Sequence, residues 1–62
     1  MDKPICKLVG TDGNVFAIIG KVTRALKHAG QYDKSKEFMH RATNSGSYDD
    51  VLTLVHEYVE VE

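Results

Sequence analysis

Three histidines, His28, His40 and His56, are the first residues of this sequence that could bind a metal ion. They are separated by twelve and sixteen residues. Neither separation matches the short ligand spacings of protein zinc sites, such as two histidines four residues apart on a helix. His56 and Glu60 do lie four residues apart, but a histidine and a carboxylate at this spacing are common on exposed helix surfaces. The sequence therefore predicts no metal site.

Cys6 is the only cysteine, so the chain forms no internal disulfide bond. A catalytic thiolate needs a neighbouring base and an orienting group, and no local signature around Cys6 supplies them. We interpret Cys6 as a small buried hydrophobic side chain in a reducing compartment. The alternative is a reactive or cross-linking thiol.

Pairs of acidic residues could serve acid–base catalysis, and the sequence offers two: Asp49 with Asp50, and Glu60 with Glu62. Helix capping explains the first pair, and an exposed strand face explains the second. The segment 11–14, Thr-Asp-Gly-Asn, has too few glycines for a phosphate-binding loop and is typical of a turn. We therefore expect no enzymatic activity and no cofactor.

The length of 62 residues predicts a single domain, 1–62. A domain of this size buries only about 60% of its unfolded surface and is marginally stable. Little room is left for a ligand pocket of about 300–1,000 Å³, which counts further against an enzyme. Assembly with a second copy or with another protein is favoured instead.

The longest helical pattern covers residues 14–29. Asn14 is the expected N-cap, and Gly30 is expected to end the helix in a left-handed conformation. A hairpin closed by Asp12 and Gly13 is the alternative, but residues 15–19 lack the alternation of a strand. The apolar stripe of this helix, spaced at i, i+3, i+4, i+7, i+11 and i+14, comprises Val15, Ile18, Ile19, Val22, Leu26 and Ala29.

A second helix is predicted from Lys34 to Ala42 or Thr43, with Asp33 as its N-cap. Its apolar content is thin, so we expect it to be the most mobile helix. The residues available to pack are Phe38, Met39 and Ala42, with Ser35 completing the row.

A third helix is predicted after Ser47, which forms a variant of the capping box with Asp50. This helix is the natural packing partner of the first, because it also carries a stripe at i, i+3, i+4 and i+7. The stripe comprises Val51, Leu54, Val55 and Tyr58.

Two strands are predicted at the ends of the chain, at residues 3–9 and 58–62. Counting chain reversals through three alternating helices makes these strands antiparallel. The predicted fold class is α+β, with three helices packed on a two-stranded antiparallel sheet in the order β-α-α-α-β. Such a sheet leaves two open edges that could pair with another chain.

The net charge of −1 is unevenly distributed. Residues 1–45 hold all eight Lys and Arg with four acids, and residues 46–62 hold five acids and no Lys or Arg. This asymmetry favours complementary association between molecules. The alternative is an acidic last element beside basic helices of the same molecule.

Export and membrane insertion are not expected. The first residues show no basic region followed by a long apolar core, and no run approaches 18 apolar residues. The sequence therefore predicts a cytoplasmic protein without a membrane partner.

Three segments, DGNVFAIIG, ALKHAG and SYDDVLTLVHEYVEVE, carry a resemblance to a known group of sequences. In this order and spacing they resemble small uncharacterised proteins of bacteria, including those of phages and other mobile elements. The resemblance covers about residues 8–62. It implies a self-contained domain of bacterial or phage origin, and it implies no activity and no functional residue.

The sequence thus predicts a non-enzymatic module that binds an unidentified protein or a second copy of itself, for example as a homodimer. The alternative is an accessory or regulatory protein that binds nucleic acid through the basic first and second helices. Against this alternative stand an isoelectric point of about 6.3 and the acidic start of the third helix. The residues expected at the interaction surface are Lys21, Arg24, Lys27, Tyr32, Tyr48, Glu60 and Glu62.

Overall fold

The computed structural model describes residues 3–8 and 14–62. Its elements follow the predicted order of strand, three helices and strand. They are β1 (Ile5–Cys6), α1 (Val15–His28), α2 (Tyr32–Thr43), α3 (Tyr48–Tyr58) and β2 (Glu60–Val61). The helix predicted in place of a hairpin at residues 15–19 is confirmed.

The two strands are parallel, so the predicted antiparallel sheet is wrong. Ile5 lies beside Glu60 and Cys6 beside Val61. The parallel register shows that the connections do not add up as the half turns that the count assumes. Parallel strands require a long crossover connection, and the three helices together provide one. Both strands are also shorter than predicted. The second strand starts later because α3 continues through Tyr58. Val9, the predicted end of the first strand, lies outside the described residues.

The ends of α1 and α3 follow the sequence predictions. The Asn14 side chain accepts a hydrogen bond of 2.8 Å from the Phe16 backbone N–H. The Ser47 hydroxyl accepts one of 3.2 Å from the Asp50 backbone N–H. Gly30 has a φ of 76°, in the left-handed region where glycine is favoured. Local capping chemistry therefore sets these boundaries.

The predicted cap of α2 is wrong, because the helix begins at Tyr32 and its N-cap is Gln31. The cause is the tight link from α1. The Gln31 N–H donates to the Leu26 carbonyl, and the Gly30 N–H donates to the Lys27 carbonyl. This pair of bonds is a Schellman motif, and it returns the chain to helix directly. Asp33 consequently lies in the first turn, where its charge complements the helix dipole.

The core lies between the three helices and the inner face of the sheet. The stripe of α1 is buried from Ile18 to Leu26, whereas Ala29 follows the helix and is exposed. Phe16, which adjoins this stripe, is 73% exposed. The buried apolar residues are Cys6, Ile18, Ile19, Val22, Leu26, Phe38, Ala42, Val51, Leu54, Val55, Tyr58 and Val59.

Despite its thin apolar content, α2 is joined to both neighbouring helices. The Ser35 hydroxyl is buried and donates a hydrogen bond of 3.2 Å to the Thr23 carbonyl of α1. Toward α3, the Phe38 ring meets the Tyr58 ring edge to face, with centroids 5.4 Å apart. The predicted mobility of α2 stays a prediction.

A polar network covers this aromatic pair. The Tyr58 hydroxyl donates to a Glu37 carboxylate oxygen and accepts from Arg41 at 3.1 Å. Arg41 also forms an exposed ion pair of 3.3 Å with Glu57. Burial raises the pKa of Tyr58 and the bond to Glu37 raises it further, while Arg41 opposes both. The phenol therefore stays protonated and keeps its donor role at neutral pH.

Candidate interaction surfaces

Of the side chains considered for catalysis or metal binding, Cys6 and His28 line the same groove. Within residues 3–8 and 14–62, no three His, Cys, Asp or Glu side chains are placed to share a metal ion. His28, His40 and His56 are exposed on three different helices. Cys6 is buried, and this burial raises the pKa of its thiol although Lys21 acts in the opposite direction. A protonated, buried thiol is a weak nucleophile.

No helix in the described part of the chain has the length and apolar character to cross a membrane. Of the surface grooves formed by the described residues, two of opposite character are considered as interaction sites. One is apolar and the other is basic.

The first, here called the apolar groove, lies where the start of α1 meets the connection between α2 and α3. It has a volume of about 430 Å³. Ile19, Ala42 and Val51 belong both to its lining and to the core. Phe16 and Tyr48 complete the lining and are 73% and 43% exposed. Two aromatic rings thus stand beside an opening that reaches core side chains.

The position of Phe16 follows from its place on α1. It occupies the second helical residue, directly after Val15, and lies beside the apolar stripe that faces the other helices. The stripe turns inward and leaves Phe16 outside it. Tyr48 is the first residue of α3, next to its cap Ser47. Both aromatic residues lie at helix starts, and the packing of the helix ends brings them to one groove.

The second, here called the basic groove, lies between β1 and α1 and has a volume of about 500 Å³. Lys7 from the strand side and Lys21, Arg24 and His28 from the helix side line it. Within the described residues, none of Lys7, Lys21 and Arg24 forms an ion pair with a carboxylate. The positive charge of this groove is therefore not neutralised by a direct contact there.

The predicted interaction residues are distributed over several places. Lys21 and Arg24 line the basic groove, and Tyr48 lines the apolar groove. Lys27 is exposed on α1 but lines neither groove. Tyr32 is exposed at the start of α2. Glu60 and Glu62 are exposed beside β1, where their backbones pair with it.

Phe16, Lys7 and His28 line the grooves but are not among the residues expected at the interaction surface. The signal for Lys7 was present, because Lys3, Ile5 and Lys7 alternate with Cys6 and share one face of the strand. Nothing local indicated that Phe16 would be exposed, since it adjoins a strong apolar stripe. His28 joins the groove only because α1 packs beside β1.

No protein-family model matches the chain, and no curated protein and no solved structure matches it either. The resemblance to bacterial and phage proteins stays a prediction. What the chain does is therefore argued from its two grooves.

Proposed function

We propose that this chain is a small non-enzymatic interaction module that binds another protein, or a second copy of itself, through the apolar groove. The observation that carries the proposal is the exposure of Phe16 and Tyr48 in one groove. Exposed apolar patches of soluble proteins commonly mark interaction sites. Aromatic residues are enriched among the residues that dominate interface energetics.

The groove suits an apolar side chain of a partner. Ile19 and Val51 are core residues, so a side chain inserted beside them would extend the existing core. Covering Phe16 would also remove an exposed aromatic ring from water. Full burial of such a side chain contributes about 1.5–3 kcal/mol. Two aromatic residues in one groove can therefore supply a large part of the free energy of a weak to moderate complex.

We also propose a cytoplasmic location and a bacterial or phage origin. The resemblance supports the origin. The single buried Cys6 supports a compartment in which proteins do not depend on disulfide bonds.

Replacing Phe16 by alanine is expected to weaken association at least about tenfold, because an aromatic contact worth over 1.4 kcal/mol is lost. Folding should change little, since exposed substitutions usually alter stability by about 0.5 kcal/mol or less. Sedimentation velocity across a concentration series measures self-association, and affinity capture with both chains measures partner binding. Tyr32→Ala is the matched control, because Tyr32 is 60% exposed and lines a different part of the surface. The proposal fails if the chain is monomeric throughout and Phe16→Ala captures the same proteins as the unchanged chain.

Nucleic-acid binding remains the second candidate, favoured by the cations that line the basic groove. Lys21 and Arg24 lie three residues apart on α1, and Lys7 of the strand side lines the same groove. The contribution of α2 is smaller than the sequence indicates, because Arg41 is paired with Glu57.

Three phosphate contacts would give a slope of log K against log salt of about −2 to −3. Fluorescence anisotropy of a labelled DNA duplex and a labelled single strand at increasing salt measures this slope. Binding should be strongest at about 50 mM salt, where screening is weak. Absence of binding there removes this candidate.

A further inference from the structure

One edge of β1 is not used by the sheet. Its other edge pairs with β2: the Pro4 and Cys6 carbonyls accept from the Glu60 and Glu62 N–H groups, and the Leu8 N–H donates to the Glu62 carbonyl. In an extended strand, the backbone groups of successive residues point to opposite edges.

The N–H and C=O groups of Ile5 and Lys7 therefore lie on the edge away from β2. Within residues 3–8 and 14–62, no hydrogen bond reaches them. This edge presents two donors and two acceptors in the pattern of a strand template.

The two residues of this edge also line the basic groove. It is lined by Ile5 and Lys7 on the strand side, and by Lys21, Arg24 and His28 on the helix side. A segment that bonded to the edge would thus pass between a strand and a row of cations. Its side chains on the helix side would meet Lys21 and Arg24.

We propose that the free edge of β1 binds an extended, acidic segment of a partner protein by strand addition within the basic groove. The inference rests on the proposed function in that the partner is a protein, and it adds the chemistry of that partner. It concerns a surface separate from the apolar groove, so the two can be tested separately.

The two faces of the added strand would meet different surroundings. The inward face lies against α1, where Lys21 and Arg24 favour carboxylates. On the outward face, which Ile5 and Lys7 share, Ile5 is 60% exposed and favours an apolar side chain. Successive side chains of a strand alternate between faces. The fitting segment therefore alternates acidic and apolar residues.

The edge favours a peptide over a nucleic acid. Ile5 and Lys7 offer both N–H donors and C=O acceptors, and a peptide backbone supplies complementary groups to both. Phosphate oxygens accept hydrogen bonds but cannot satisfy the two carbonyls. The cations alone would attract either polyanion, so the backbone pairing decides between them.

The test uses the full chain and a labelled, end-capped peptide of about seven alternating Glu and Val residues, which is an ordinary strand length. Fluorescence anisotropy measures its affinity. Two further peptides carry N-methyl groups on all Glu or on all Val residues, which blocks one edge each. The peptide that loses its hydrogen bonds to β1 should bind at least about tenfold more weakly than the unmodified peptide. The other methylated peptide should bind with nearly unchanged affinity. Equal effects in both peptides overturn strand addition.

The charge requirement is tested with matched double variants. The double variant Lys21→Glu with Arg24→Glu should bind the Glu–Val peptide at least about tenfold more weakly, because two attractive contacts become repulsive. Lys34→Glu with Lys36→Glu changes the net charge equally, and these exposed residues of α2 do not line the groove, so affinity should change less than about twofold. A Lys–Val peptide should not bind. Binding of that peptide with equal affinity contradicts the proposal.

Two results would assign the groove or the strand edge to a different ligand. A single-stranded oligonucleotide that binds as tightly as the peptide, with the same dependence on Lys21 and Arg24, assigns the groove to nucleic acid and overturns the proposal. Oligomers of the chain alone that dissociate in the Lys21→Glu and Arg24→Glu variant assign the edge to a second copy and overturn it as well. Phe16→Ala should leave peptide binding intact. If Phe16→Ala loses association and neither the unchanged chain nor any variant binds the peptide, the proposed function stands and only the proposal of strand addition is rejected.

Discussion

Replacing Phe38 by alanine is expected to lower the free energy of unfolding by about 3–5 kcal/mol, the range for removing a buried aromatic side chain. Phe38 is fully buried and is the largest fully buried side chain described in the chain. Its loss removes the edge-to-face contact with Tyr58 and leaves a cavity between α2 and α3. A domain of 62 residues has a total stability of only about 3–9 kcal/mol. A substantial fraction of the molecules should therefore be unfolded at room temperature.

Urea denaturation followed by circular dichroism measures this effect as a shift of the midpoint at unchanged slope. The control is Met39→Ala, the neighbouring position on α2, where the side chain is exposed. That variant should lose less than about 1 kcal/mol. If the two variants were equally stable, the packing of α2 on α3 described here would be wrong.

Replacing Ser35 by leucine is expected to destabilise the fold by about 1–3 kcal/mol, although it adds an apolar side chain to a helix that has few. Ser35 is buried and its hydroxyl lies 3.2 Å from the Thr23 carbonyl, so α1 and α2 are close at this point. A leucine side chain would force the helices apart or adopt a strained rotamer.

Ser35→Ala separates the effect of size from that of the hydrogen bond. It should cost about 0.5–1.5 kcal/mol, the usual net contribution of one hydrogen bond. Thermal or urea unfolding of the three chains ranks them, with the leucine variant the least stable. A leucine variant more stable than the unchanged chain would show that the contact between α1 and α2 is loose enough to accept it.

The helices were predictable because their determinants are local. Asn14 and Ser47 cap the helices as their side-chain chemistry predicts, and Gly30 takes the backbone conformation that only glycine adopts readily. The cap of α2 was misassigned because the Schellman motif at Gly30 limits the link between the helices to residues 29–31. The capping preference of Asp33 and the Schellman motif at Gly30 are both local rules, but they give different starts for α2, and the helix follows the Schellman motif.

Neither the relative direction of the strands nor the positions of the grooves could be predicted from local sequence. Strand direction depends on helix crossing angles, which are set by packing across the whole core. Ser35 completed a weak row in the sequence, yet its hydroxyl donates a hydrogen bond that joins α2 to α1. Phe16 adjoins a strong stripe but faces outward. Lys21 and Arg24 were expected at the interaction surface, and only the packing of α1 beside β1 brings Lys7 to the same groove.

The parallel pairing of Ile5 with Glu60 also constrains the order in which the chain folds. During synthesis, β1 leaves the ribosome long before β2 exists, whereas the hairpin of α1 and α2 depends on neighbouring residues alone. Contacts between distant residues form late because closing the intervening loop costs entropy before any bond forms. The nascent chain therefore forms its helices first, and β1 stays exposed to other chains until Glu60 and Val61 have been added and can pair with it.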